Sequence, residues 1–462
     1  MRDGVAMPRS RIGQGRTIKE SLLVEIWRQQ AVGKAALLTS SGKRIHVIHP
    51  GRKSNDSGPD FCDALITVDG ERLKGDIEIH VSSRQWQAHG HHKDPGFNDT
   101  ILHVVMWDDG EETSLLHSKG RIPILALSPY LHGSTEDLGQ IVRSSSARDE
   151  PCRKALKRDG RASVLDVLNK AGEERFYSKV GKFKAAMTLN QAEQVLYEGV
   201  MAALGYAKNK EPFEELARTM SLRLLSNFAM RGAIIEIQAS MLGAAGLLPM
   251  DFQMGSRKTQ TSAHDSVEVD RLQQPWTSLK FKGKGGKSKW RFFRVRPENS
   301  PTRRIIAFSH LLVGCRGELM RSMLIRLAQP TASKAQRELE LGLMVKADGY
   351  WASHFHFGIE AGWRPTLIGQ SRARDIIVNV LLPFSFAWSQ TNSDAWLRNR
   401  SRELYLNHPK LQENWITRYM GMQILGDEPE AVASRSACHQ QGLIHLYRTF
   451  CAEHRCHVCP LA

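Results

Sequence analysis

Glu78 and His80 stand two residues apart in the run Gly75-Asp76-Ile77-Glu78-Ile79-His80-Val81, and Asp60 lies upstream in Gly58-Pro59-Asp60-Phe61. The strict alternation of this run predicts a strand. Ile77, Ile79 and Val81 then share one face, and Asp76, Glu78 and His80 the other. A second strand over Ala64–Val68 precedes it, with Asp69-Gly70 as the hairpin signal. A three-residue loop Val68–Gly70 would set Asp60 directly opposite Glu78, whereas a two-residue Asp69-Gly70 loop would place the two on opposite faces. Carboxylates that share a face repel unless something neutralises them, and a divalent cation does so. The plain alternative is a half-exposed sheet face with solvated charges.

The next segment is dense in imidazoles. His80, His89, His91, His92 and His103 fall within 24 residues of a chain holding 18 histidines. Imidazole ligates metals and carries protons near neutral pH. Asp94 and Asn98 lie beside the cluster, and Trp86 can anchor a short helix starting at Ser82 or Ser83. Ile101–Trp107 reads as a buried strand with His103 to one side. The cluster lacks the i, i+4 spacing of a zincin helix, so a polar loop is the competing reading.

Pro59-Asp60 followed by Glu78-Ile79-His80 resembles the metal-binding core of the PD-(D/E)xK nuclease superfamily. The resemblance implies that Asp60 and Glu78 hold Mg²⁺ or Mn²⁺, with Asp76, His89, His91 and Asp94 in support. His80 stands where that superfamily has a lysine. The departure implies altered chemistry, a lysine from elsewhere or lost activity.

Two further stretches carry chemistry. Cys451, Cys456 and Cys459 form C-x4-C-x2-C, a spacing that suits Zn²⁺ or an iron–sulfur cluster. His454, His457, Cys315 or Cys152 could complete it. Cys438 is separated from Cys451 by roughly 20 Å if Gln440–Phe450 is one helix. Residues 280–304 hold ten Lys/Arg against the single acid Glu298. Lys287, Lys289, Arg291, Arg294 and Arg296 can contact phosphates, and Trp290, Phe292 and Phe293 can stack on bases. A solvated basic loop with its aromatics turned inward is the alternative.

The elements that must position these residues follow from periodicity. Thr17 is a candidate N-cap for a helix carrying Leu23, Ile26 and Trp27. Ala35–Thr39 and Arg44–Ile48 read as a hairpin, and strands continue at Thr113–His117 and Ile122–Leu127. From Val164 the character becomes helical, over Val164–Met187, Gln191–Leu204, Phe213–Leu225 and Ala233–Leu247, with a buried helix at Ile376–Trp388. The expected class is α+β: a frayed tail 1–16, a restriction-endonuclease-like mixed-sheet domain 17–143, a linker 144–163, a mostly helical domain 164–436 and a helix with a cysteine-rich tail 437–462. Length allows two or three cores. The net charge of +16 favours a polyanion, DNA or RNA first. No run of 18 apolar residues predicts a membrane span, no apolar leader follows the N-terminal arginines, and the seven cysteines do not form a secreted framework, so the cytoplasm is expected.

Taken together, Gly58-Pro59-Asp60-Phe61, Gly75-Asp76-Ile77-Glu78-Ile79-His80, Trp86, His89-Gly90-His91, Ile101-Leu102-His103, Trp290-Arg291-Phe292-Phe293-Arg294-Val295-Arg296-Pro297, Tyr350-Trp351, Gln441-Gly442-Leu443-Ile444 and the three late cysteines resemble, over nearly the whole length, a bacterial family known only as a domain of unknown function. The expected activity is hydrolysis of phosphodiesters in DNA or RNA through Asp60, Glu78 and His80. Two alternatives stand beside it: a non-catalytic nucleic-acid-binding protein on a degenerate nuclease fold, and a histidine-dependent metal hydrolase for another substrate.

Overall fold

A computed structural model of the chain describes residues 18–32, 36–54, 58–131, 152, 155–249, 263–279, 290–292, 296–425, 436–453 and 455–462. The chain divides into two compact units, Met1–Glu150 and Pro151–Ala462. The expected linker 144–163 straddles that division. Its residues 144–151, 153 and 154 lie outside the described residues, and from Ala155 onward the chain is helical.

The N-terminal unit opens with α1 (Glu20–Gln29), which turns Leu23, Val24, Ile26 and Trp27 inward and leaves its charged residues outside. It begins after an extended Lys19, and Thr17, the expected cap, lies outside the described residues. Eight strands follow: β1 (Leu37–Leu38), β2 (Arg44–His49), β3 (Arg52–Lys53), β4 (Phe61–Val68), β5 (Glu71–Ser82), β6 (Thr100–Trp107), β7 (Thr113–Leu115) and β8 (Arg121–Ala126). They form one mixed sheet in the order β1-β2-β4-β5-β6-β8-β7, with β3 paired to β4. β2, β4 and β5 run as an antiparallel meander, whereas β5–β6 and β6–β8 are parallel. The short helix α2 (Gln85–Ala88) and two 3₁₀ turns, His91–Lys93 and Pro95–Phe97, occupy the connection between the parallel strands β5 and β6.

Both faces of β5 are covered. Ile77 and Ile79 join Leu102, Val104 and Met106 in a core with Leu23, Ile26 and Trp27 of α1. Glu78 and His80 on the opposite face are buried as well, so the solvated-face alternative does not hold at these two positions. Trp86, Phe97, Leu116 and Ile122 build a small satellite core on the connection side. The Gln85 amide oxygen accepts both the Val81 and Ser82 N–H at 2.9 Å, closing the strand and opening the helix.

The second unit is mostly helical, as expected, with short strand pairs at His354–His356/Ile359–Glu360 and Val345–Lys346/Thr366–Ile368. The expected helix Phe213–Leu225 is two, Lys210–Thr219 and Leu222–Ala229, because the backbone turns extended at Met220 and Ser221. The helix expected over Ile376–Trp388 spans Gln370–Thr391 with a π-helical turn at Ile377–Leu381. Ala437–Leu446 likewise passes into a π turn, Tyr447–Cys451. It packs on the helical stretch Ala155–Met187, which is broken at Gly160 (φ 74°, ψ 164°), through two glycines. A Cβ at Gly172 would sit 2.3 Å from the Cys438 carbonyl oxygen, and one at Gly442 would sit 2.2 Å from that of Leu168.

Candidate metal centre

The position of Asp60 is decided by two local features. Val68 pairs with Glu71, so the turn is the two-residue Asp69-Gly70, both at positive φ (51° and 88°), as a type I′ hairpin requires. Continued without interruption, that register would throw Asp60 to the wrong face. A bulge intervenes: Ala64 pairs with Gly75 but Phe61 pairs with Ile77, with Asp63 in the left-handed region at φ 57°. The extra residue flips the phase, and Asp60 meets Glu78. The Asp60 N–H donates to Glu78 Oε2 at 2.9 Å, and the Ile79 N–H donates to Asp60 Oδ2 at 3.1 Å. Each carboxylate thus grips the backbone at the other's position.

The imidazoles converge on the same spot. His80 Nε2 lies 3.1 Å from His89 Nδ1 and 3.3 Å from His91 Nε2. Among the described residues, these three form the one group of histidine, cysteine or acidic side chains whose ligand atoms all lie within 4.8 Å of one another. Glu78 Oε1 is 3.6 Å from His80 Nε2 and 3.3 Å from His91 Nε2. His80 is buried, His91 half-buried and His89 exposed, so the group opens from sheet to solvent. The His91 ring is held against Phe97 at 3.9 Å between centroids, with Trp86 at 5.3 Å. The Trp86 indole N–H is itself fixed by the Leu115 carbonyl at 2.8 Å.

Behind His80 the polar chain continues. His80 Nδ1 lies 2.9 Å from His103 Nε2, and His103 Nδ1 lies 2.7 Å from Ser114 Oγ, all three residues being buried. Parallel pairing of Glu78 with His103 sets both on one face. The expected strand Ile101–Trp107 carried His103 to one side, and Ser114 had no expected role. Their alternation with Leu102, Val104, Thr113 and Leu115 was the only signal, and it does not say which strand lies beside which.

Electrostatics explain what the site lacks. Burial, then the neighbouring Asp60, push the Glu78 carboxyl up to about 9. Burial, then the surrounding imidazoles, press His80 down to about 2, and the same two causes bring His91 to about 4 and His103 to about 3. The close His–Glu contacts are therefore not ion pairs. Burial holds His80 and His91 toward the neutral form and the Glu78 carboxyl toward the protonated one. The separations of His80 Nε2 from the other two nitrogens, 3.1 and 3.3 Å, match tetrahedral bonds of about 2.0–2.1 Å to one ion, with all three within 4.8 Å of one another, and the donor set fits a metal.

The remaining expected site residues fall elsewhere. The Asp94 carboxylate accepts the Gly96 N–H at 2.8 Å, and its charge acts on the His91 ring, against the stronger effect of burial. Asp76 lies where both neighbouring strands bulge. It accepts the Asp63 N–H at 3.2 Å and lines a cavity with Arg52, Cys62, Asp63 and Asp99, and burial followed by the Asp99 charge raises it to about 6. Trp290 is turned inward. Its indole N–H donates to the Ala245 carbonyl at 2.8 Å and its ring meets Phe213 edge-on. Asn209 clasps the Arg291 backbone at both N–H and C=O, leaving the side chains of Arg291, Phe292 and Arg296 exposed. Lys287, Lys289 and Arg294 lie outside the described residues. Cys451, Cys456 and Cys459 are half-buried thiols in the second unit.

An α+β protein in which a strand of the mixed sheet and the connection after it bring three imidazoles and a buried carboxyl together is the class defined by fold and site. The chain belongs to the DUF2851 family, proteins of unknown function, whose family model matches residues 20–414. No curated protein and no solved structure matches it.

Proposed function

We propose that the N-terminal unit is a metal-dependent nuclease in which His80, His89 and His91, with Glu78 beside them, take the place of the carboxylate-and-lysine set of the PD-(D/E)xK pattern. The observation that carries this is the convergence of three imidazole nitrogens next to a carboxyl raised by burial. The meander β2-β4-β5 followed by a helix and the parallel β6 supports it, because that is the element order expected with the motif. A net charge of +16 supports a polyanionic substrate. Nitrogen donors with one carboxylate favour Zn²⁺ or Mn²⁺ over Mg²⁺.

A cation there would lower the pKa of its water and offset charge on the attacked phosphate. Glu78, ionised in that state, is placed to take the proton of the attacking water. Asp60 fixes Glu78 through its backbone N–H, and the His103–Ser114 chain fixes the ring of His80. The water oxygen forms the new P–O bond, the bond to the leaving oxygen breaks, and that oxygen takes a proton from the solvent side, where His89 stands.

The test is cleavage of labelled DNA and RNA with Mn²⁺, Zn²⁺ and Mg²⁺ in turn, beside metal content. Cleavage with Mn²⁺ or Zn²⁺ should fall by about two to four orders of magnitude in Glu78→Gln, with His89→Ala losing metal while staying folded. Nucleic acid bound but left intact with every cation would replace this reading by a binding protein. Metal held at the histidines with neither binding nor cleavage would make the site a hydrolase of another substrate.

A further inference from the structure

A cluster of cations in the helical unit stands without counter-charge. Arg175 and Lys179, both half-buried, lie one turn apart on the stretch Ala155–Met187, well past its break at Gly160. Buried Gln441 of Ala437–Leu446 receives both. Its Oε1 accepts the Arg175 Nε–H at 2.8 Å and a Lys179 Nζ–H at 2.9 Å. Asn379 Oδ1 accepts a second Lys179 proton at 2.5 Å. The charge of Arg448 acts on both cations, and that of Lys182 on Lys179. Asn379 and Arg448 come from the two π turns, Ile377–Leu381 and Tyr447–Cys451, and turns of this kind are frequent at functional sites.

The neighbouring acids are engaged elsewhere. Glu173 pairs with Arg402 at 2.7 Å and Glu174 with His445 at 3.1 Å. Asp375, whose charge acts on Lys179, pairs with Arg372 at 3.5 Å, and burial raises its carboxyl. Among the described residues Arg175, Lys179 and Arg448 make no ion pair. Burial, then the neighbouring positive charges, press Arg175 down to about 10 and Lys179 well below the usual lysine range. A bound anion would offset both the repulsion and the lost hydration and keep Lys179 an ammonium. Two guanidinium forks and one ammonium suit the oxygens of a phosphate. A single negative charge, as on a carboxylate or a phosphodiester, would leave two of the three cations unbalanced. We propose that Arg175, Lys179 and Arg448 bind a terminal phosphate dianion, either the free ion or the end of a nucleotide. The inference is independent of the N-terminal site.

Calorimetric titration of the full chain with inorganic phosphate, beside sodium chloride at equal ionic strength and without added metal, tests the site. Phosphate should bind, and Arg448→Gln, a change at an exposed position, should weaken it by about 10- to 100-fold. Lys179→Gln should do the same, whereas Arg321→Gln, at an exposed ion pair with Glu318, should not. If Lys179→Gln does not fold, Arg448→Gln decides alone. Titration with a DNA oligonucleotide carrying either a 5′-phosphate or a 5′-hydroxyl then separates the two sources of the group. Tighter binding of the phosphorylated form than of the free ion, lost with the hydroxyl, supports the end of a nucleotide chain as ligand. An oligonucleotide that gains nothing from its 5′-phosphate supports the free ion. Phosphate held no better than chloride, or held equally by wild type and Arg448→Gln, overturns the assignment.

Discussion

His103 determines which nitrogen His80 can offer. A metal ligand is competent only when its lone pair faces the ion, and the partner on its other ring nitrogen settles that. In the tautomers that metal binding requires, His103 Nδ1–H donates to Ser114 Oγ, His103 Nε2 accepts from His80 Nδ1–H, and His80 Nε2 carries no proton toward His89 and His91. His103→Leu should therefore weaken metal binding by about 10- to 100-fold, whereas His103→Gln, which keeps an acceptor, should recover part of it. Titration with Mn²⁺ followed by electron paramagnetic resonance would measure both, and equal affinities in wild type and His103→Leu would refute the positioning role. At this scale the sequence was legible where one strand carried the chemistry. Asp76 to Val81 showed Glu78 and His80 on one face. It was not legible where the partner came from another strand, as Ser114 does.

Among the elements, β4 decides whether there is a site at all. Turn and strand were both visible: Asp69-Gly70 signalled the hairpin, and Phe61 to Val68 has the composition of a strand. The bulge was not, since aspartate accepts positive φ only somewhat more readily than other residues and Asp63 stands in an unremarkable Cys-Asp-Ala context. The two hairpin readings were opposite outcomes. The structure takes the turn of one and the facing residues of the other, with Asp63 reconciling them. Removing Asp63 alone should leave a continuous register with Phe61 still opposite Ile77 and Asp60 still facing Glu78, so metal affinity should stay near wild type. Removing Cys62 and Asp63 together should send Asp60 across the sheet and cut metal affinity, while the far-ultraviolet circular dichroism keeps its wild-type shape. Metal affinity unchanged in the double deletion would show that Asp60 plays no part in holding Glu78. The helical unit followed its periodicity with one exception, the break at Met220–Ser221, where Met-Ser-Leu offers neither glycine nor proline to announce it.

For the whole molecule, α+β with a sheet unit before a helical one was readable from the change of period near Val164. The partition of acid sensitivity was not, because it depends on burial. His310, His356 and His408 of the second unit are all lowered by burial, and among the described residues His408 Nε2 is buried without a hydrogen-bond partner. Their folded pKa values lie below the unfolded value of about 6.5, so the unfolded chain binds these protons more readily. The stability they contribute is complete above about pH 6.5 and is lost as pH falls toward the folded values. Hydrogen exchange in Pro301–Gly314, the helix of His310, should accelerate between pH 7 and 5.5 by more than the intrinsic chemical rate explains. Corrected protection that stays level over that range would refute the assignment. The glycine crossing sets a further condition, on time. The long helix Ala155–Met187 has its partner some 270 residues later in the chain. At about 5–20 residues made per second, roughly 10 to 60 seconds pass between the synthesis of one and the other. For that interval a nascent chain presents Leu168, Gly172 and their neighbours with nothing to cover them, so this face is the one a ribosome-bound chaperone would have to shield.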